Sequence, residues 1–176
     1  MGGHDKGLVA LASEPLIAHV CAALREQAGV IFICANRNHE EYSRYGEVVA
    51  DAVAGFKGPL AGIAAALLRR GAPWLLTVPV DGPDLPRDLA ARLFAGAAAA
   101  NAKAAVAHDG ARRQPLFALY RGDLAQDASR ALELGLAPWR WQDEIGAIGV
   151  DFSDQPQAFV NLNTLDDFRE WERRHV

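Results

Sequence analysis

The sequence predicts an α/β domain with a mainly parallel sheet, and three observations carry that expectation. Apolar runs of strand length, such as Val30-Ile31-Phe32-Ile33-Cys34-Ala35 and Trp74-Leu75-Leu76-Thr77-Val78-Pro79, alternate with stretches of helical periodicity. These runs lead into polar clusters, most clearly Asp81 after the 74–79 run, which is where open α/β sheets bind their ligands. The chain has 176 residues, 51% of them hydrophobic, which is enough core for a single domain spanning 1–176.

Taken in order, Met1-Gly2-Gly3-His4-Asp5-Lys6-Gly7 is glycine-rich and carries a cation, but matches neither G-x-x-x-x-G-K-[ST] nor G-x-G-x-x-G. Pro15 is placed to open a helix through about Gln27, with Leu16, Val20, Ala23 and Leu24 as its core stripe and His19 as a packed or surface residue. The continuous apolar run Val30–Ala35 predicts a strand buried on both faces, ending in Asn36-Arg37-Asn38-His39, and Cys21 and Cys34 read as buried thiols. Val48–Ala50 is a short strand that places Asp51 at its end. A helix from about Leu60 to Arg70 follows, with Gly58 and Gly62 marking close approach, either to a ligand or between helix and sheet.

After the 74–79 strand, Arg87 to about Ala99 reads as an alanine-rich helix and Ala104–Ala107 as a strand. Asp109-Gly110 predicts a hairpin turn into the strand Pro115–Tyr120, with Arg112, Arg113 and Gln114 near the ligand edge. A helix from about Leu124 to Leu134, a less periodic stretch holding Trp139 and Trp141, and the strand Ala147–Asp151 come next. Asn161 and Asn163 alternate about Leu162 and so share one side of an extended segment, while Thr164 and Asp167 approximate a capping box for a last helix, Leu165 to about Arg174.

Composition narrows the function. A net charge of −4 argues against a nucleic-acid binder, and no apolar run is long enough to cross a membrane. With no signal-peptide core and no Cys/His cluster, the expectation is a cytoplasmic protein. Lys6, Asn36, Asp51, Asp81 and Asn161 are expected at one sheet edge, and no Ser/His/Asp or Cys/His pair is evident. A lysine and acceptor carboxylates without a protein nucleophile suit phosphoryl or nucleotidyl transfer, in which the substrates react with each other.

An ordered set of short motifs then carries a resemblance over nearly the whole chain. Gly2-Gly3-x-Asp5-Lys6-Gly7-Leu8, Pro15-Leu16-Ile17-x-His19-Val20, Ala35-Asn36-Arg37, Gly58-Pro59-Leu60-Ala61-Gly62, Pro79-x-Asp81-x-Pro83 and Val160-Asn161-x-Asn163-Thr164 resemble the molybdenum cofactor guanylyltransferase family. The resemblance implies a Rossmann-like three-layer α/β/α nucleotidyltransferase fold, with the family's first strand absent from this chain. It implies GTP and molybdenum-molybdopterin as substrates, Mg²⁺ as cofactor, and molybdoenzyme maturation proteins as partners. Lys6 would contact the GTP phosphates, Asp51 and Gly62 would belong to the nucleotide pocket together with Asn36, and Asp81 would hold Mg²⁺. Asn161, Asn163 and Arg113 would hold the pterin substrate. Cys34 departs from the family, whose members often have asparagine there, and a thiol replaces that amide poorly. Two alternatives stay open: a related molybdopterin cytidylyltransferase or sugar nucleotidyltransferase, and an inactive partner of cofactor maturation.

Overall fold

The computed structural model describes residues 5–50, 58–69 and 73–175. A 3-10 turn, Lys6–Leu8, leads into a short hairpin of β1 (Ala10–Leu11) and β2 (Glu14–Pro15), and α1 follows as Leu16–Arg25. Pro15 stands at the N-cap of α1 rather than inside it. β3 (Phe32–Cys34) and β4 (Glu47–Val49) pair in parallel, joined through α2 (His39–Tyr42). The remaining elements are α3 (Pro59–Leu67), β5 (Trp74–Thr77), α4 (Leu89–Ala99), β6 (Ala104–His108), β7 (Arg113–Arg121), α5 (Ala125–Glu133), α6 (Pro138–Glu144), β8 (Ile148–Asp151) and α7 (Leu165–His175).

The four strands β5 to β8 form one sheet in the order β5-β7-β6-β8. β7 lies antiparallel between β5 and β6, and β8 is parallel to β6, so β5, β6 and β8 run one way and β7 alone is reversed. The reversal follows from the local turn. Asp109 and Gly110, the latter at φ +96°, send the chain straight back along β6, with the Asp109 N–H donating to Arg112 O at 3.1 Å.

The pleat of this sheet builds a three-layer α/β/α molecule. Ala104, Val106, Ala118 and Tyr120 face a cluster formed with α3, α5 and α6, in which Trp141 stacks on Tyr120. Ala105, Ala107, Phe117 and Leu119 face the opposite cluster, formed with α1, α4 and the aromatic pair Phe152 and Phe159. This is the period-two alternation of a sheet covered on both faces. Small residues on β6 let the helices sit close, and Gly96 of α4 has no room for a Cβ, which would stand 2.6 Å from Val150 Cγ2.

β3 departs from the expected strand. The apolar run predicted six residues buried on both faces, yet the strand has three, only Ile33 is buried, and Val30 is 65% exposed. Among the described residues β3 has one partner, β4, so an apolar run of the right composition is left partly open. Cys34 is correspondingly exposed rather than buried, whereas Cys21 is fully buried as expected. His19 packs: its Nε2 lies 2.8 Å from Leu11 O and its ring meets Trp171 edge-on.

Candidate active site

β5 carries the chain to a turn in which the Gly82 N–H donates to Pro79 O, and this turn presents Asp81. The backbone of Asp81 is tied to the segment before α7, its carbonyl accepting the Leu162 N–H at 2.8 Å. Leu162 is buried while Asn161 and Asn163 on either side are exposed, as their alternation predicts. Lys6 then closes the arrangement: its Nζ donates to Asp81 Oδ2 and to Asn163 Oδ1, both at 2.7 Å. Residues 6, 81 and 163 thus meet at one point, with the Lys6 and Asp81 side chains 29% and 20% exposed.

Each of the three is anchored by its neighbours. Asn163 is set by the cap of α7, where Asp167 Oδ2 accepts the N–H groups of Asn163 at 2.8 Å and Thr164 at 2.7 Å, and Thr164 Oγ1 accepts the Asp167 N–H at 3.2 Å. These backbone donors, the Thr164 hydroxyl and the nearby Lys6 charge hold the Asp167 carboxyl below the usual carboxylate range. Lys6 follows Asp5, whose carboxylate accepts from Tyr42 Oη at 2.5 Å, Asn38 Nδ2 at 2.9 Å and Arg37 Nε at 3.1 Å. Burial pushes Asp5 upward, but the three donors and the guanidinium charge outweigh it, so its carboxyl also sits low. Tyr42 is driven the other way, first by burial and then by its bond to the Asp5 carboxylate.

Of the other residues singled out from sequence, Asn36 is exposed at the carboxyl end of β3. Asp51 lies outside the described residues. Gly62 is buried in α3, where a Cβ would stand 2.9 Å from Cys34 Cβ, and Cys34 Sγ donates to Gly62 O at 3.3 Å. The glycine therefore serves helix-to-strand packing, the second of its two expected uses. Arg113 pairs with Asp143 at 2.8 Å and donates to Ala147 O at 3.3 Å, which places its guanidinium on the α6–β8 turn and not on the lysine trio. What the sequence did not signal is Tyr42, whose contribution depends on a carboxylate 37 positions away.

No group of three or more His, Cys, Asp or Glu that could hold a metal occurs among the described residues. Asp81 is the carboxylate available at the trio, with Asn163 Oδ1 as a neutral oxygen beside it. A family model, the MobA-like NTP transferase domain, matches residues 1–144. The chain belongs to this family. Within it, the chain is 44% identical over 166 residues to the molybdenum cofactor guanylyltransferase of Shewanella piezotolerans, covering 93% of this chain and 81% of that protein. It is 42% identical over 175 residues to the enzyme of the same name from Photobacterium profundum, covering 97% and 88%. The solved structure of molybdopterin-guanine dinucleotide biosynthesis protein A from Archaeoglobus fulgidus shares the fold, with a TM-score of 0.80 at 24% identity over 98% of this chain and 91% of that one. The nucleotidyltransferase fold expected from the motifs is thus the fold found, and no helix among the described residues is long and apolar enough to cross a membrane.

Proposed function

We propose that this chain transfers GMP from GTP to the phosphate of molybdenum-molybdopterin, forming the guanine dinucleotide cofactor and releasing pyrophosphate. The observation that carries this reading is the meeting of Lys6, Asp81 and Asn163 at the carboxyl edge beyond β5. The trio supplies a cation, a carboxylate and an amide but no nucleophile, which is the complement needed when one substrate attacks another. A phosphate oxygen of the pterin substrate bonds to the α-phosphorus of GTP, the bond to the bridging oxygen breaks, and pyrophosphate leaves with that electron pair.

In this reading Lys6 turns its ammonium to the GTP phosphates and offsets the charge that gathers on the leaving pyrophosphate. Asn161 and Asn163 offer amide groups to the pterin substrate from one side of their segment, and Asn36 and Asp51 contribute to the nucleotide pocket. A Mg²⁺ site fits Asp81: among the described residues, a carboxylate with a neutral oxygen beside it suits an ion that takes its other ligands from phosphates and water. When bound, the ion would make the α-phosphorus more electrophilic and steady the pyrophosphate. We place the reaction in the cytoplasm, with molybdoenzyme maturation proteins receiving the product. Relatives more than 40% identical that carry the guanylyltransferase name favour GTP over the cytidylyl and sugar-nucleotide alternatives.

The test is calorimetric titration with GTP, CTP and ATP, with and without Mg²⁺, alongside a guanylyl-transfer assay with molybdenum-molybdopterin. Preferential GTP binding that weakens without Mg²⁺ or in Asp81→Asn, with pyrophosphate released in step with the dinucleotide, is the expected result. A folded protein that binds no nucleotide, or prefers CTP, would overturn the proposal.

A further inference from the structure

We infer that Asp5 is a positioning residue for Lys6, clamped by Tyr42, Asn38 and Arg37 so that the lysine's root is fixed before any phosphate arrives. The inference rests on the assignment of Lys6 to the GTP phosphates made above.

Asp5 stands at the N-cap of the turn Lys6–Leu8, where a carboxylate ordinarily accepts the turn's own N–H groups. Its side chain makes no such bond, and the turn is closed by backbone alone, with Leu8 N donating to Asp5 O at 3.1 Å. The carboxylate is aimed instead at residues beyond β3. Oδ1 takes the Tyr42 hydroxyl and Oδ2 takes both Asn38 and Arg37, so the two oxygens are held from different directions and the carboxylate cannot rotate without losing a donor. Its side chain is only 16% exposed, which keeps these charge-assisted bonds from being screened away.

The same Tyr42 fixes the residue on the other side of the lysine. A Cβ at Gly7 would stand 2.5 Å from Tyr42 Oη and 3.2 Å from Val80 Cγ2, so the turn is wedged between that ring and the residue preceding Asp81. One phenol therefore holds the residues before and after Lys6, and through Val80 it sets the turn against the strand end that presents Asp81. A lysine side chain has four rotatable carbons and gives up rotamer freedom when it is ordered. Fixing its root on both sides limits how far the ammonium strays, and a displacement of about 1 Å at a reacting group can lower a rate by roughly 100-fold.

The test is a double-mutant cycle of Asp5→Asn and Lys6→Ala, with a direct reading of the lysine. Asp5→Asn keeps the size and removes the charge and an acceptor. It is expected to lower kcat for GMP transfer by roughly 10- to 100-fold with a smaller change in KM for GTP, and to have no further effect in the Lys6→Ala background. Tyr42→Phe is expected to act in the same direction with a smaller loss. The sequence holds three lysines, so the Lys6 side-chain methylene signal is assignable by its loss in Lys6→Ala, and in folded Asp5→Asn protein it should show averaged, mobile behaviour. An equal fold-loss in both backgrounds, or a Lys6 signal unchanged by Asp5→Asn, would overturn the inference. A wild-type protein that transfers no GMP would instead refute the proposed function, and the lysine signal would still decide the clamp.

Discussion

Lys6 directs its charge at Asp81 and Asn163. Lys6→Ala is expected to lower kcat by roughly 100- to 1,000-fold, the usual loss when one preorganised donor to a developing charge is removed, measured by pyrophosphate release. Lys6→Arg should restore little of it, since a planar fork differs in length and geometry from a compact ammonium. Gly7 is as constrained as the lysine. Gly7→Ala drives a methyl into Tyr42 Oη, and Tyr42→Phe in the same chain should recover part of the lost thermal stability by removing the nearest atom. Lys6 and Asp81 were legible as neighbours because each lies in a short motif next to a glycine or a proline-rich turn, whereas the edge was expected to hold Asn161 and the structure puts Asn163 on the lysine. Tyr42 was not: it sits in His39-Glu40-Glu41-Tyr42, a polar stretch with no periodic signal, and only folding brings it to Asp5.

At the scale of elements, the turn of the β1–β2 hairpin is the least comfortable backbone. Ala12 at φ +49° and Ser13 at φ +73° occupy the left-handed region in a two-residue turn that favours Asn-Gly. Replacing Ala12 by Asn and Ser13 by Gly should stabilise the protein by about 1–2 kcal/mol, a rise of about 2–8 °C in Tm, read by differential scanning calorimetry. The β6–β7 hairpin carries a pH dependence. Burial raises the Asp109 carboxyl, but the N–H groups of Arg112 and Ala111, the Gln114 amide and the Arg112 charge lower it further, so its folded value lies below its unfolded one. Its contribution is therefore fully present above the ordinary carboxylate value near about 3.9 and is lost as pH falls through the depressed one. Asp109→Asn should flatten the loss of stability on acidification without steepening it at neutral pH, measured by denaturant unfolding at several pH values. This hairpin was legible from Asp-Gly between two apolar runs, because turn chemistry is local. The exposure of β3 was not, because burial depends on what lies beside a strand rather than on the strand's own composition.

Across the whole molecule, α7 ties together segments far apart in sequence. Glu172 Oε1 accepts the Ala12 N–H at 2.9 Å, Trp171 Nε1 donates to Asp84 Oδ1 at 2.7 Å, and the α7 cap sets Asn163. The helix thus holds the first hairpin, the loop after Asp81 and the lysine's amide partner in one frame. GTP with Mg²⁺ at about 100 times its dissociation constant should stabilise this frame by about 2.7 kcal/mol, a thermal shift of about 5–10 °C that Asp81→Asn should largely abolish. The Lys6–Asn163 bond closes a loop of 157 positions. Contacts of such separation form late, because the chain between them must be ordered first. During synthesis the lysine is made 157 positions before its amide partner and waits for it until the segment before α7 has left the ribosome. A growing chain without that segment therefore cannot assemble the lysine trio, so the arrangement proposed to hold GTP comes together only once that segment has been made.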